Sequence, residues 1–219
     1  MNTYYTNSLP APVIPAAEFD GLIKLSDLQT DLPVEITVPP DATAFDRYQL
    51  TLGYISVGES VRLGDSSLNE DSVLTLNIPL SSLDKDDNYS VGYELTLQPG
   101  GGSYRSDVSV IKIDRTAPGG ALVAPVILPD QTSGDIKGKI PGYVGMEIGD
   151  TLQTLCNGVD GPKYVTTIED LSSKPIEITF PQVFLDSLQS KKVKIVYHIT
   201  DRAGNKSTPA FPAELTLQR

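Results

Sequence analysis

The clearest pattern along this chain is alternation. Apolar and polar side chains exchange places residue by residue over short runs that end in turn residues. Residues 34–39 (VEITVP), 48–54 (YQLTLGY), 72–79 (SVLTLNIP), 89–97 (YSVGYELTL) and 107–113 (DVSVIKI) follow it closely. A second set comprises 135–141 (DIKGKIP), 151–158 (TLQTLCNG), 163–168 (KYVTTI), 176–181 (IEITFP), 193–200 (VKIVYHIT) and 213–218 (AELTLQ). Period two belongs to a strand with one buried face. Turn signals about every ten residues belong to a stack of short strands rather than to a helical protein. In residues 193–200 the core row is expected to be Val193, Ile195, Tyr197 and Ile199. Full burial of one such aliphatic side chain contributes roughly 1.5–3 kcal/mol.

The second set repeats the first. A shift of 104 carries Asp46 onto Asp150, Leu52 onto Cys156, Tyr93 onto Tyr197, Leu95 onto Ile199, Ile111 onto Leu215, Ile113 onto Leu217 and Arg115 onto Arg219. At the front of each copy the tetrapeptide APVI recurs, at 11–14 and 124–127, and VEITVPP meets IKGKIPG at a shift of 102. On this alignment the first copy carries about 11 extra residues before that strand. Shifts that change only between strands are what loop insertions produce. Residues 93–107 (YELTLQPGGGSYRSD) and 197–208 (YHITDRAGNKST) then form the same closing hairpin with different tips. The chain is therefore expected to be all-β: two tandem immunoglobulin-like β-sandwich domains of about seven strands each, residues 1–118 and 119–219. The junction is IDRTAPGG, residues 113–120, where Pro118 and the glycines stop the last strand of the first copy.

Composition narrows the function. The chain has 219 residues, enough for two cores, and its net charge of −11 argues against nucleic acid and anionic membrane surfaces as partners. No apolar run approaches the ~18–20 residues of a membrane-spanning helix, so membrane insertion is not expected. The single cysteine, Cys156, leaves no internal disulfide and no Cys-rich zinc site. Residues 1–19 lack the basic segment and apolar core of a Sec signal peptide. The expected location is extracellular or at the cell surface by a non-Sec route, with the cytoplasm also open.

Catalytic chemistry finds little to work with. His198 is the one histidine and the one candidate general base near neutral pH, yet it alternates with the core row and is expected to face outward. Cys156 stands within an alternating strand with no histidine near it in sequence, as a small buried thiol would. There is no G-x-S-x-G, no P-loop and no G-x-G-x-x-G, and the PGGGS at 99–103 is a hairpin tip with no helix behind it. No catalytic or cofactor-binding residue is assigned, and the chain is not expected to be an enzyme. LDKDDNY, residues 83–89, clusters carboxylates but lacks the spacing of a calcium loop, and reads as a solvated acidic turn.

Three stretches carry a resemblance. VYHITDRAGNKSTPAFPAELTL (196–217), IPGYVGMEIGDTLQTLCNG (140–158) and IDRTAPG (113–119) resemble the closing hairpin, the second-to-third-strand region and the junction of bacterial Ig-like repeats in large surface proteins and adhesins. The second copy matches over most of its length; the first lacks the D-x-A-G-N turn. Neither copy has a tryptophan on the third strand, where Leu52 and Cys156 stand. Tyr89, two residues before Val91, is placed for a tyrosine corner, and Val193 stands there in the second copy. The resemblance implies an adhesive stalk or spacer, with further Ig-like repeats as neighbours. The alternative is a recognition module that binds a surface glycan or partner protein through its loop ends. In such a sandwich the 2–3 and 6–7 loops lie where the chain enters, which puts Asp201 and Asn205 near Asp114, with Glu147 and Asp150 on the neighbouring loop. By resemblance to calcium-bridged bacterial arrays, these oxygens would hold one Ca²⁺ and stiffen the joint. The other reading makes Asp201 a turn former that binds its own backbone.

Overall fold

The computed structural model describes residues 9–64, 72–130, 133–172 and 174–218. The protein is all-β, and the chain divides into two compact units, Met1–Arg115 and Thr116–Arg219.

In the first unit the described strands are β1 (Leu22–Ile23), β2 (Leu32–Thr37), β3 (Arg47–Leu52), β4 (Ile55–Arg62), β5 (Val73–Ile78), β6 (Asp87–Thr96), β7 (Ser103–Arg105) and β8 (Ser109–Ile113). They form one sheet in the order β1-β8-β6-β3-β4, with β7 against β6, and a two-stranded sheet of β2 and β5. Alternation puts Leu32, Val34, Ile36, Leu76 and Ile78 of the small sheet against Tyr48, Leu50, Val91, Tyr93, Leu95, Ile111 and Ile113 of the large one, all buried in one cluster. The second unit has β9 (Ile136–Ile140), β10 (Thr151–Cys156), β11 (Val159–Val165), β12 (Ile176–Phe180), a six-residue helix α1 (Gln182–Ser187), β13 (Lys192–Thr200) and β14 (Ala213–Thr216). Its sheets are β11-β10-β13-β14 and β12-β9, closed over a core that includes Ile136, Ile140, Phe180, Leu152, Cys156 and the expected row Val193, Ile195, Tyr197 and Ile199. Each unit is a sandwich of immunoglobulin-like strand order. The described strands number eight and six rather than about seven in each. Among the described residues no helix is long and apolar enough to cross a membrane.

The period of 104 holds to the residue where the third and sixth strands pair. Arg47 faces Thr96 and Leu52 faces Val91 in the first unit; Thr151 faces Thr200 and Cys156 faces Ile195 in the second. Two parts of the sequence alignment are corrected. The first strand bridges the second through Val13–Glu35 in one unit and Ile127–Lys139 in the other. The first segments therefore correspond at 114, not at the 113 of the repeated APVI letters, and buried Leu9 and Pro12 correspond to buried Val123 and Val126. A one-residue slip would turn every side chain to the opposite face, so burial rather than lettering sets the register. The second strands correspond at 104, not 102. Asp31 accepts the amide of Leu80 and Asp135 that of Gln182, each following the proline that ends β5 or β12. The insertion in the first unit is thus ten residues, and it contains β1.

Candidate functional site

The loop ends are built on a buried aspartate that opens the third strand. Backbone and carboxylate lock together there: Asp46 N donates to Thr43 O, and Thr43 N donates to Asp46 Oδ2 at 2.8 Å. In the second unit Asp150 N donates to Glu147 O, and Glu147 N donates to Asp150 Oδ2 at 3.0 Å. A short polar side chain that closes a turn on its own backbone is favoured over longer residues. The two differ at the second oxygen. Asp46 Oδ1 takes Gln98 N from the facing loop at 2.9 Å. Asp150 Oδ2 takes the Tyr143 hydroxyl at 2.8 Å, and its fully buried Oδ1 has no hydrogen-bond partner. Burial, with the nearby charges of Asp201 and Glu147, raises the Asp150 pKa above the usual carboxylate value against the lowering pull of its two donors.

The facing loop explains the difference. In the second unit the tip folds on itself: Asp201 Oδ1 accepts Gly204 N and Asn205 N at 2.7 and 2.8 Å, and Oδ2 accepts Asn205 Nδ2 at 2.8 Å. Asp201 is thus the turn former of the second reading. Of the residues expected at a calcium site, the structure pairs Glu147 with Asp150 and Asp201 with Asn205, while Asp114 belongs to the first unit. Among the described residues no three His, Cys, Asp or Glu side chains are grouped to hold a metal ion. The acidic turn at 83–89 is likewise occupied, with Asp86 Oδ1 accepting Arg115 N and Asp87 Oδ1 accepting Asn88 N.

Beside Asp150 an open cleft of about 620 Å³ lies between residues 142–147 on one side and residues 170–172 and 174 on the other, lined by Tyr143, Met146, Glu147, Asp170, Leu171 and Lys174 among others. Its far wall is a capped 3₁₀ turn, Ile168–Leu171, in which Asp170 accepts the backbone and hydroxyl of Thr167 and the hydroxyl of Tyr164. Burial works against the Asp170 charge, but those donors hold its carboxyl below the ordinary value. The cleft offers apolar and polar walls in one place.

Two features went unread in the sequence. Gln49 Nε2 donates to Val57 O at 2.7 Å, and Gln153 Nε2 donates to Gly161 O at 2.9 Å. Gln49 lies at the register irregularity between β3 and β4 and Gln153 borders that between β10 and β11, so each amide ties its strand to a carbonyl of the next one across the irregularity. The signal was available: a glutamine at the same place in both copies, 104 residues apart. The other feature is β4, an exposed edge strand whose Ile55–Arg62 stretch includes Gly58 and Glu59 and lacks clean alternation. Three other residues singled out in the sequence have defined surroundings. Tyr89 donates its hydroxyl to Lys85 O at 3.1 Å, a tyrosine corner. Cys156 is buried, which pushes its thiol up to about 11 and keeps it protonated at neutral pH. His198 is half-buried on the face opposite the core row, across from Gln153.

No protein-family profile matches the chain, and no curated protein matches it in sequence. Among solved structures it is similar to part of a 1.5-MDa bacterial ice-binding adhesin, studied for host cell surface retention, at 15% identity and a TM-score of 0.47, covering 97% of this chain and 66% of that one. The FN1–FN3 domains of chicken CNTN1 align at 13% identity and a TM-score of 0.38, covering 85% of this chain and 60% of that one. A β-1,2-glucanase from Parabacteroides distasonis aligns at 11% identity and a TM-score of 0.26, covering 87% of this chain and 28% of that one. The chain spans less than two thirds of the length of each of these structures.

Proposed function

We propose that the chain is a non-enzymatic tandem Ig-like module of a bacterial surface or secreted protein, working as an adhesive stalk or spacer. The observation that carries this is the same third-to-sixth-strand register, with a corresponding glutamine bonded across to the next strand, built twice 104 residues apart around two separate cores. A repeated framework with variable loop tips is the construction of an array, where length and rigidity are the product. The resemblance of the DRAGNKS hairpin and the IDRTAPG junction to bacterial surface repeats supports the setting. In this reading Cys156 is a packing residue.

The test places the chain between a surface anchor and a reporter domain on bacterial cells. The reporter should become accessible to a large probe, as it does with an unrelated rod of the same length, and a shorter reach would count against the stalk. The cleft beside Asp150 favours one second reading, recognition of a glycan or partner protein by a loop end. Binding of the intact chain to a glycan panel, lost in Leu171→Glu with the fold retained, would replace the spacer reading. Asp201 serves three protein donors, and the proposal is stated without calcium. Melting curves in calcium and in chelator should coincide, whereas occupancy at 100 times the dissociation constant would add about 2.7 kcal/mol.

A further inference from the structure

The ten residues inserted in the first unit place Leu22 and Ile23 parallel to Lys112 and Ile113, at the end of that unit's last strand. Both inserted side chains are buried. Gly21 makes the approach possible: its φ is +85°, its carbonyl accepts Lys112 N at 2.8 Å, and a Cβ there would stand 2.5 Å from Val110 O. The turn before it is fastened by Gly21 N to Glu18 O, Glu18 N to Leu22 O, and the Lys24–Glu18 ion pair at 3.0 Å. Upstream, Leu9 forms a parallel bridge with Ser106, and its carbonyl accepts Asp107 N. The opening segment is therefore tied to the closing strand near both ends of that strand. The second unit keeps the upstream tie, Phe211 N to Val123 O, but among its described residues no strand pairs with the outer edge of β14.

When a chain is pulled from its ends, a first and last strand that run parallel are drawn past each other. The hydrogen bonds between them then load together instead of opening one by one. We infer that β1 is a mechanical strap: under tension the first unit holds and the second unit extends first. The inference rests on the stalk reading for its purpose, since only a chain under load uses such a device.

The intact chain, held by its two ends in a single-molecule force measurement, should give two unequal events. The weaker should release the second unit, Val123 to Leu217, and the stronger the first, Leu9 to Ile113, spans of 94 and 104 residue steps. That difference is roughly 35 Å of extended chain, enough to assign each event by length. Gly21→Val should bring the stronger event down to the force of the weaker and leave the weaker unchanged. Equal forces in the wild type, or a weaker event carrying the longer length, would overturn the strap. Should Gly21→Val unfold the first unit outright, the wild-type assignment still decides. Amide exchange gives a second readout: Lys112 should be protected and Thr216, its counterpart, should exchange faster. Unequal forces together with a failed reporter test would keep the strap and discard the stalk.

Discussion

Asp46 and Asp150 occupy one position in two copies of one framework, and the two units satisfy them differently. Both fold the preceding loop onto a carboxylate oxygen. In the first unit the facing loop reaches across with the Gln98 amide, so both oxygens are used. In the second unit the facing loop is closed by its own aspartate, and Asp150 is left with a buried, unpartnered oxygen. The self-contained DRAGN turn thus comes at a cost to its neighbour. A loop tip that is free to vary in sequence still changes the electrostatics of the residue beneath it.

The comparison can be broken most forcefully at the two aspartates. Asp46→Asn should destabilise the first unit by about 1–3 kcal/mol, because one of its two backbone donors must then face an amide nitrogen. Asp150→Asn should cost the second unit less, since the amide can point at an oxygen site that has no donor to lose. Amide exchange read separately in the two units distinguishes them, and equal losses would refute the account.

The core tyrosines give the next largest contrast. The Tyr197 hydroxyl donates to Ala124 O at 2.8 Å, whereas the buried Tyr93 hydroxyl has no hydrogen-bond partner. Tyr197→Phe is expected to cost about 1 kcal/mol, while Tyr93→Phe should be neutral or stabilising. Both phenols are pushed up to about 12 by burial, so each holds its proton more tightly folded than unfolded. Stability from this source is complete below pH 10 and is lost as pH rises towards 12. Chemical denaturation of each variant, and an alkaline titration of the wild type, measure these effects.

A smaller effect tests the likeness rather than the difference. Gln49→Ala and Gln153→Ala should destabilise their units alike, by about 0.5–1.5 kcal/mol each, because corresponding carbonyls, Val57 O and Gly161 O, each lose a side-chain donor. Unequal losses would mean that the brace matters in one copy only. The smallest effect is the acid limb of the second unit. Its raised Asp150 pKa means the folded state binds a proton that the unfolded chain releases, so this contribution is complete below the ordinary carboxylate value and is lost as pH rises through the raised one. Asp150→Asn should remove that slope, with the amide nitrogen standing where the unpartnered oxygen was.

Much of this was legible in the linear chain because its cause is local. Alternation fixes which side chains of a strand can share a face, so the row Val193, Ile195, Tyr197 and Ile199 was readable before any fold was known. The period of 104 was readable because the same two faces must meet in both copies. So was the tyrosine corner, where Tyr89 bonds a carbonyl only four residues away. Which donors Asp201 serves was not legible in this way: its turn onto Gly204 and Asn205 depends on the conformation of the whole tip.

What tertiary structure alone decided involves pairs distant in sequence. The recurring APVI letters point to a shift of 113, but the first strand has to satisfy a bridge to Glu35 or Lys139 and bury Leu9 or Val123, and these set it at 114. Leu22 and Ile23 are too short a run to show any period. They become a strand because Lys112 and Ile113, ninety residues later, offer an unpaired edge with room for Gly21 to approach it. The sequence determined the rows that make each sheet amphipathic. Backbone hydrogen bonds carry no side-chain signature, so only the assembled fold decided which edges were closed and which were left open.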